Sequence, residues 1–242
     1  MNDLFAIIYE DAGLLVVNKP AGLVCHPTKG DAYSSLISRA RLHLGGGARP
    51  HLVNRLDRET SGVTLVAKAD DTARELRRVW EGRAVEKEYL AIVHGRVRDD
   101  CGTIDAPLGK DERSRVVIKD CVRPDGAPSQ TEFRVERRFS RVEGDFSLLR
   151  VVPRTGRKHQ IRIHLAHLGH PVAGDKLYGG DEDLYLALVE DRLTAAQRAR
   201  LIFTHHALHA RAVRFVWRGR PAEFRCEPED WFTDFAGANE SG

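Results

Sequence analysis

The stretch HLVNRLDRETSG at residues 51–62 crowds polar and charged side chains immediately before the apolar run VTLV at residues 63–66. A short valine-rich run that follows glycine is typical of a strand, so the polar stretch is predicted to be a loop at the edge of a sheet. Loops held on a rigid edge commonly carry binding or catalytic side chains. Considered alone, however, an Arg-x-Asp followed by Thr-Ser-Gly is more typical of a turn held by Asp and Ser side chains.

Strand and helix signals continue on both sides of this loop. Because they follow no regular strand–helix–strand rhythm, they favour an α+β fold over a doubly wound sheet. One domain over residues 1–236 is expected, followed by a disordered tail at residues 237–242. Strands are predicted at residues 7–8, 14–17, 63–66, 88–93, 129–137, 146–152, 212–217 and around Phe224. Helices are predicted at residues 34–44, 71–81, 160–168 and 191–201, with Thr194 as an alternative start of the last.

The composition is that of an ordinary globular protein. Hydrophobic residues make up 42% and charged residues 30% of the 242 residues, which allows a substantial core. The net charge of +3 permits an acidic partner such as nucleic acid but does not require one. Each basic cluster, taken alone, is more typical of a solvated face than of a phosphate-binding surface. The clusters are Arg74, Arg77, Arg78, Arg83 and Lys87; Arg137, Arg138 and Arg141; and Arg154, Arg157, Lys158 and Arg162.

Cysteine usage and the N-terminal sequence favour the cytoplasm. The N-terminal region carries acidic residues around a short apolar run, where a signal peptide would have basic residues and a longer apolar stretch. No segment approaches the roughly 20 apolar residues of a membrane span. Without a C-x-x-C pair, neither a zinc knuckle nor a dithiol redox site is predicted. The four widely spaced cysteines are Cys25, Cys101, Cys121 and Cys226.

Two further patterns favour structural explanations. The Gly45-Gly46-Gly47 stretch is interpreted as a flexible connector, because the Lys-Ser/Thr of a nucleotide-binding loop is absent. Two groups of histidines could ligate a metal, but strand geometry is expected around His209, and a satisfied structural environment is favoured. These groups are His164, His167 and His170, and His205, His206 and His209. No metal site is therefore predicted.

Residues 154–171, RTGRKHQIRIHLAHLGHP, combine basic side chains with an apolar repeat. Ile161, Leu165 and Leu168 recur at helical spacing. Arg162 lies beside this apolar stripe, so its guanidinium could reach an enclosed carboxylate rather than open water. A structural ion pair is the alternative interpretation.

The segment Lys87-Glu88-Tyr89 places a tyrosine at the start of a predicted strand. Such a ring could pack in the core or provide a surface on which a nucleic-acid base stacks. Taken alone, the core position is favoured.

Together these segments resemble the RluA family of pseudouridine synthases. The matching motifs occur in order over nearly the whole chain, from about residue 7 to about residue 224. The resemblance implies a pseudouridine synthase fold, with a mixed, mainly antiparallel sheet, flanking helices and a central catalytic cleft. The motifs are NKPAGLV at residues 18–24, HLVNRLDRETSG at 51–62, KEY at 87–89, RTGRKHQIRIHLAHLGHP at 154–171 and GDKLYG at 174–179.

The resemblance also implies roles for individual residues. Asp57 matches the catalytic carboxylate, Tyr89 the active-site tyrosine, and Arg162 the basic residue that pairs with the aspartate. Arg55 matches the side chain that fills the gap left by a flipped uridine. The other residues assigned to RNA contacts are Arg58, Thr60, Arg157, Lys158, His159 and Gln160.

Two positions depart from the family pattern. Asn54 stands where the family commonly has histidine, and Lys158 stands where a small hydroxyl residue is usual. Neither change removes a catalytic group, but both could alter loop anchoring or RNA contacts. The first motif begins close to residue 1, so a stand-alone catalytic domain is expected, without the S4-like RNA-binding domain that many relatives carry.

The implied activity is isomerisation of specific uridines to pseudouridine in structured RNA. The reaction breaks a carbon–nitrogen glycosidic bond, turns the uracil and rejoins it through carbon 5. Because it involves neither net oxidation nor water, no metal or other cofactor is expected. An ionised Asp57 would act either as nucleophile at the anomeric carbon or as the base that removes the neighbouring sugar proton.

The implied partner is transfer RNA, 23S-type large-subunit ribosomal RNA, or both. Neither a membrane nor an obligate protein partner is expected, and a monomer is the default state. A region at residues 181–203 is interpreted as a family-variable insertion without an assigned function.

Two other functions fit parts of the sequence less well. A non-catalytic RNA-binding protein would use the basic clusters but would not need Asp57, Tyr89 and Arg162 together. An aspartate-nucleophile phosphatase would use Asp57 and Glu59 with a bound magnesium ion. That class requires a strongly apolar strand leading into the first aspartate, and HLVNRL at residues 51–56 matches it poorly.

Overall fold

The computed structural model describes residues 4–27, 34–45, 47–82 and 84–237, so predictions for Gly46, Arg83 and residues 238–242 lie outside the described residues. The strands are β1 (Ala6–Glu10), β2 (Leu14–Lys19), β3 (His51–Leu52), β4 (Ser61–Ala67), β5 (Glu86–His94), β6 (Cys101–Asp105), β7 (Leu108–Lys110), β8 (Asp120–Val122), β9 (Gln130–Arg141), β10 (Gly144–Pro153), β11 (Leu208–Trp217) and β12 (Arg220–Arg225). The helices are α1 (Leu36–Leu44), α2 (Asp70–Glu81), α3 (Gln160–His167), α4 (Asp183–Val189), α5 (Ala195–Leu201) and α6 (Asp230–Gly237).

The chain divides into two compact units. Unit 1 comprises Met1–Glu88 with His209–Trp231, and unit 2 comprises Tyr89–Leu208 with Phe232–Gly242. The expectation of one domain over residues 1–236 stays a prediction. None of the described helices is both long enough and apolar enough to cross a membrane.

The sheet of unit 1 is mixed but mainly antiparallel. Strand β2 pairs antiparallel with β1 and with β4, and the short β3 also pairs antiparallel with β4. Strand β11 runs parallel to β4 and forms an antiparallel hairpin with β12. The parallel contact brings the start of β11 beside the start of β4, immediately after the polar loop.

Alternation of side chains along β2 explains why both faces of this sheet are covered. Leu15 and Val17 lie on one face, in a buried cluster with α1, whereas Leu14 and Val16 lie on the other face, in a cluster with α2. Because both faces are apolar, β2 and β4 are almost continuously hydrophobic rather than alternating with polar residues. The two helices therefore fix the strand that precedes the NKPAG turn and the strand that follows the polar loop.

Unit 2 is built on antiparallel strands in the order β5, β10, β9, β6, with a separate β7–β8 hairpin. Helix α3 is buried along most of its length. Its Ile163 packs with Leu108, Val116, Leu177 and Tyr178. This cluster joins the β7–β8 hairpin to α3 and to the segment that contains GDKLYG. Helix α3 and the GDKLYG segment belong to two separate motifs of the sequence.

The predicted α+β class, with a mixed and mainly antiparallel sheet and flanking helices, is confirmed. The helix predicted at residues 191–201 does not start at Asp191, but the alternative start at Thr194 is confirmed. Asp191 has a left-handed φ of 53°, and Thr194 caps α5 by accepting a hydrogen bond from Gln197 N at 3.2 Å. The region at residues 181–203 therefore contains two short helices, α4 and α5, of which only the second was predicted.

Replacing Gly62 by alanine is expected to lower the free energy of unfolding by about 3 kcal/mol or more. The φ of Gly62 is 117°, and an added Cβ would lie 2.2 Å from Ala210 O on β11. Gly144 is a matched control, because its φ is 130° but no atom lies within 4 Å of an added Cβ. Gly144→Ala should therefore lose only about 1 to 2 kcal/mol from backbone strain. Urea unfolding measures both losses, and equal losses would contradict the close approach of β4 and β11.

Candidate active site

Asn54 fixes the start of the polar loop at residues 53–60. Its Nδ2 donates to Val63 O at 3.1 Å, and its Oδ1 accepts a hydrogen bond from Leu65 N at 2.8 Å. One side chain thus satisfies both a donor and an acceptor on β4. The departure from the family's histidine therefore leaves this end of the loop anchored, because the amide supplies both kinds of bond.

Residues 56–60 form the turn that presents Asp57. Leu56 is buried, and its backbone N–H bonds to Cys25 Sγ at 3.4 Å. The turn is closed by Thr60 N, which donates to Asp57 O at 3.2 Å. The side chain of Asp57 is half-buried, whereas that of Thr60 is buried. The segment is therefore both a turn and a loop at a sheet edge, so the two interpretations of its sequence are compatible.

Lys19 lies fully buried beneath this turn. Its Nζ donates to Pro20 O at 3.0 Å, to Leu23 O at 2.8 Å and to Arg58 O at 3.1 Å. All three ammonium donors are therefore used, and they tie the NKPAG turn to the loop that carries Asp57.

Burial lowers the pKa of Lys19 to about 8, although the neighbouring Cys25, Glu229 and Asp57 side chains act in the opposite direction. Glu229 also accepts a hydrogen bond from Ala21 N at 3.1 Å, so it fixes the same turn. Since charge attraction is mutual, a protonated Lys19 stabilises the carboxylate of Asp57. Lys19 belongs to the motif NKPAGLV at residues 18–24, but the sequence predicted no role for this residue.

His209, at the start of β11, closes the other side of the loop. Its Nδ1 lies 2.8 Å from Ser61 Oγ, and its Nε2 lies 3.1 Å from Cys226 O. Burial lowers the pKa of His209, which favours a neutral ring. The strand predicted here is confirmed, and both ring nitrogens are satisfied within the protein. Among the residues with described positions, no three His, Cys, Asp or Glu side chains group as a metal site would require.

In unit 2, Arg162 of α3 forms a buried two-point ion pair with Asp175. Arg162 Nε lies 2.6 Å from Asp175 Oδ2, and Arg162 Nη2 lies 2.9 Å from Oδ1. Asp175 Oδ1 also accepts hydrogen bonds from the backbone N–H groups of Leu177 and Tyr178, at 2.9 and 3.0 Å. The side chain of Asp175 is fully buried and that of Arg162 is 8% exposed. The guanidinium therefore has a fixed orientation.

The electrostatics of this pair favour a charged Arg162 and a charged Asp175. Burial tends to raise the pKa of Asp175, but the Arg162 guanidinium and the backbone donor of Tyr178 hold it well below its usual value. The guanidinium carbon of Arg162 also lies 5.0 Å from the centre of the Tyr178 ring. Arg162 thus contacts an enclosed carboxylate, that of Asp175, and this contact also fits the alternative interpretation of a structural ion pair.

Gln160, at the start of α3, is used within the protein. Its Nε2 donates to Gln130 O and to Thr131 Oγ1, both at 2.9 Å. Its Oε1 accepts hydrogen bonds from Thr155 Oγ1 at 2.7 Å and from Arg157 N at 3.0 Å. Because the amide is buried and bonded at both ends, the structure favours a positioning role for Gln160 over the RNA contact predicted from the sequence.

The residues before Gln160 differ in exposure. Arg157 and Lys158 are exposed, and Lys158 Nζ lies 2.9 Å from Asp120 Oδ2. His159 has a left-handed φ of 53°, and its Nδ1 lies 2.9 Å from Tyr178 Oη. The RNA contacts predicted for Arg157, Lys158 and His159 stay predictions, and Lys158 would exchange its contact with Asp120 for a phosphate.

Residues 13–167 match the family model described as RNA pseudouridylate synthase. The chain belongs to this family. The resemblance to the RluA type of pseudouridine synthase is thereby confirmed.

Curated relatives in the family come from several bacteria. An uncharacterized RNA pseudouridine synthase of Chloroflexus aurantiacus is 46% identical over 167 residues, covering 67% of this chain and 51% of that protein. Ribosomal large subunit pseudouridine synthase C of Vibrio vulnificus is 38% identical over 207 residues, covering 83% of this chain and 62% of that protein. The chain thus spans about half to three fifths of the length of these relatives.

A solved structure of the family extends the likeness to the whole fold. Human RNA Pseudouridylate Synthase Domain Containing 1 superposes with a TM-score of 0.75 and 26% sequence identity, covering 97% of this chain and 88% of that chain. Human RNA Pseudouridylate Synthase Domain Containing 4 gives a TM-score of 0.72 at the same identity, covering 94% and 90%.

The residues that the family resemblance selects fall in both units. Asp57 lies in unit 1, whereas Tyr89 and Arg162 lie in unit 2. Tyr89 is half-buried on β5, opposite Val151 of β10. The roles of these residues, including a pairing of Arg162 with Asp57, stay predictions. The sequence analysis predicted no role for Asp175, although this residue belongs to the motif GDKLYG at residues 174–179.

Proposed function

We propose that this chain isomerises uridine to pseudouridine within RNA, with Asp57 as the essential carboxylate. The observation that carries the proposal is the anchored loop at residues 53–60, in which Asp57 is half-buried above the buried Lys19. Family membership supports the same activity. A non-catalytic RNA-binding protein would not require a carboxylate held in this way.

The proposed reaction is an isomerisation in which all atoms are retained. The bond between uracil N1 and the anomeric carbon breaks, and a bond between uracil C5 and the same carbon forms. The proton on C5 is released and N1 gains a proton. Asp57 acts as the nucleophile at the anomeric carbon or as the base that removes the adjacent sugar proton, and both roles require its ionised form.

Arg162 is proposed to stabilise the charge of Asp57 during the reaction. This pairing is carried by the resemblance alone. The two-point contact with Asp175 supports it indirectly, because a fixed guanidinium does not have to be ordered when the substrate binds. Asp175 is in this proposal a positioning residue.

Arg55, Arg58 and Tyr89 are proposed to handle the flipped base. A uridine in a paired or stacked region must leave the stack, which costs a few kcal/mol. Arg55 and Arg58 are exposed on the loop beside Asp57, as a residue that replaces the extruded base requires. Tyr89 would stack on the uracil and assist the movement of the C5 proton. Thr60 is buried, so its contribution would be to hold the turn rather than to contact RNA.

Large-subunit ribosomal RNA is the substrate class proposed first, with transfer RNA as the second. Relatives from Vibrio vulnificus and Xanthomonas campestris carry the name ribosomal large subunit pseudouridine synthase, which supports this order. The phosphatase alternative loses support, because β3, which precedes the loop, contains only two residues. A cytoplasmic location stays a prediction from the sequence.

The test is tritium release from transcripts labelled at C5 of uridine. We expect release from unmodified large-subunit ribosomal RNA, because the C5 proton is lost in the reaction. The release is expected to persist in a metal chelator. Release from transfer RNA alone would correct the substrate class. No release from either RNA, with protein whose folding is verified by circular dichroism, would contradict the proposed activity.

A further inference from the structure

Unit 1 contains a basic groove of about 650 Å³ beside the loop that carries Asp57. It is lined by three arginines from three different segments: Arg41 of α1, Arg49 before β3 and Arg77 of α2. His26 and His51 also line the groove, and His51 Nε2 lies 2.6 Å from Asp70 Oδ1. We call this surface, defined by these five residues, the arginine groove.

The three arginines differ from most of the described ion-pair arginines, because none of them is paired with a carboxylate among the described residues. Within the described part of the chain, no Asp or Glu side chain lies within ion-pair distance of Arg41, Arg49 or Arg77. By contrast, Arg74, which lies on the same helix as Arg77, forms an ion pair with Asp71. All three arginines are exposed, so their positive charges add up within one concave surface.

The walls of the arginine groove are continuous with the supports of the polar loop. His26 directly follows Cys25, whose sulfur bonds to the backbone of Leu56. His51 belongs to β3, which leads directly into residues 53–60. Burial and then the charges of Arg55 and Arg41 lower the pKa of His26, which places the loop arginine and the groove arginine in one electrostatic neighbourhood.

We propose that the arginine groove binds the phosphodiester backbone of the substrate RNA, next to the uridine that is modified. This inference rests on the proposed function for the identity of the polyanion. Guanidinium groups bind phosphate oxygens through two parallel hydrogen bonds, and three converging arginines suit a strand with successive phosphates. A second cavity of about 220 Å³ shares His51, Leu52 and Arg77 with the groove and extends it along α2.

The ligand is a backbone and not a particular base, because phosphate contacts position RNA without reading its sequence. A strand held here would enter the loop from the side of β3. The arginine groove would then supply affinity and orientation, while residues 53–60 supply the chemistry.

The experiment measures binding of a fluorescein-labelled 12-nucleotide oligouridine by anisotropy over a range of salt concentrations. The variant Arg41→Gln/Arg49→Gln/Arg77→Gln is compared with the control Arg78→Gln/Arg98→Gln/Arg220→Gln, which removes the same charge from exposed arginines outside the groove. The groove variant is expected to bind about 10- to 100-fold more weakly, with a salt slope smaller by about 2, given roughly 0.7 per phosphate contact on a single strand. The control should stay close to wild type.

Two results would overturn the inference. Equal affinities and salt slopes for the groove variant and the control would remove the groove from RNA binding. If the groove variant bound oligouridine as wild type does but bound poly-glutamate about 10- to 100-fold more weakly, the groove would be assigned to an acidic polypeptide. The binding assay requires no turnover, so a negative result in it can be distinguished from a negative result in the tritium assay. Circular dichroism and urea unfolding of both variants verify that a lost affinity does not reflect a lost fold.

Discussion

Replacement of Asp57 by asparagine is expected to reduce tritium release from C5-labelled ribosomal RNA by about 10³-fold or more. Asparagine has the shape of aspartate, but it is neither a nucleophile at the anomeric carbon nor a base for the sugar proton. Two of the bonds that hold the loop use backbone oxygens and not the carboxylate, since Thr60 N donates to Asp57 O and Lys19 Nζ donates to Arg58 O. The loop should therefore keep its conformation.

Glu59→Gln is the matched control for this prediction, because it also removes a carboxylate from the same loop. It is expected to keep most of the activity. Oligouridine binding by Asp57→Asn should equal that of wild type, which separates a chemical defect from a binding defect. Turnover by Asp57→Asn comparable with wild type, or equal losses in both variants, would contradict the role proposed for Asp57.

Replacement of Asp175 by asparagine is expected to lower the free energy of unfolding by about 3 to 5 kcal/mol. The change leaves the charge of Arg162 buried without its two-point partner, while the amide oxygen can still accept the hydrogen bonds from Leu177 N and Tyr178 N. The penalty therefore comes mainly from the loss of a two-point ion pair at a buried guanidinium. Urea unfolding at neutral pH measures the loss.

Glu132→Gln provides the control, since Arg154 and Glu132 form the same two-point contact, with both distances 2.7 Å, on the surface. Their side chains are 45% and 39% exposed, so this variant should lose at most about 1 kcal/mol. Equal losses in the two variants would contradict the importance of burial for the pair of Arg162 and Asp175.

The same pair predicts a pH dependence of stability. The pKa of Asp175 is lower in the folded state than the value of about 3.9 expected in the unfolded chain. Between these two values the unfolded state binds more protons, so the stabilisation is complete above about pH 4 and is lost as the pH falls through the folded-state pKa. Urea unfolding below pH 4 should therefore show a steeper loss for wild type than for Asp175→Asn.

Local signals predicted the elements that are long or strongly patterned. The apolar runs of β2 and β4, and the helical repeat of Ile161 and Leu165 in α3, are short-range properties that tertiary contacts did not override. By contrast, β3, β7 and β8 contain only two or three residues, too few to show any period. Their strand conformation depends on the partner to which each is hydrogen-bonded.

The sequence alone determined the α+β class, the family and the position of Asp57 in a loop at a sheet edge. These features depend on the order of motifs and on hydrophobic periods, which are local properties of the sequence. The partners inside the site depended on tertiary structure. Lys19 meets Arg58 across 39 residues, and Arg162 meets Asp175 across 13, so neither contact has a local signature. The arginine groove likewise exists only because α1, β3 and α2 bring together arginines that, in the sequence, could equally have lain on solvated faces. Charge and reactivity are properties of a side chain, but burial, pairing and pKa are properties of the packing around it.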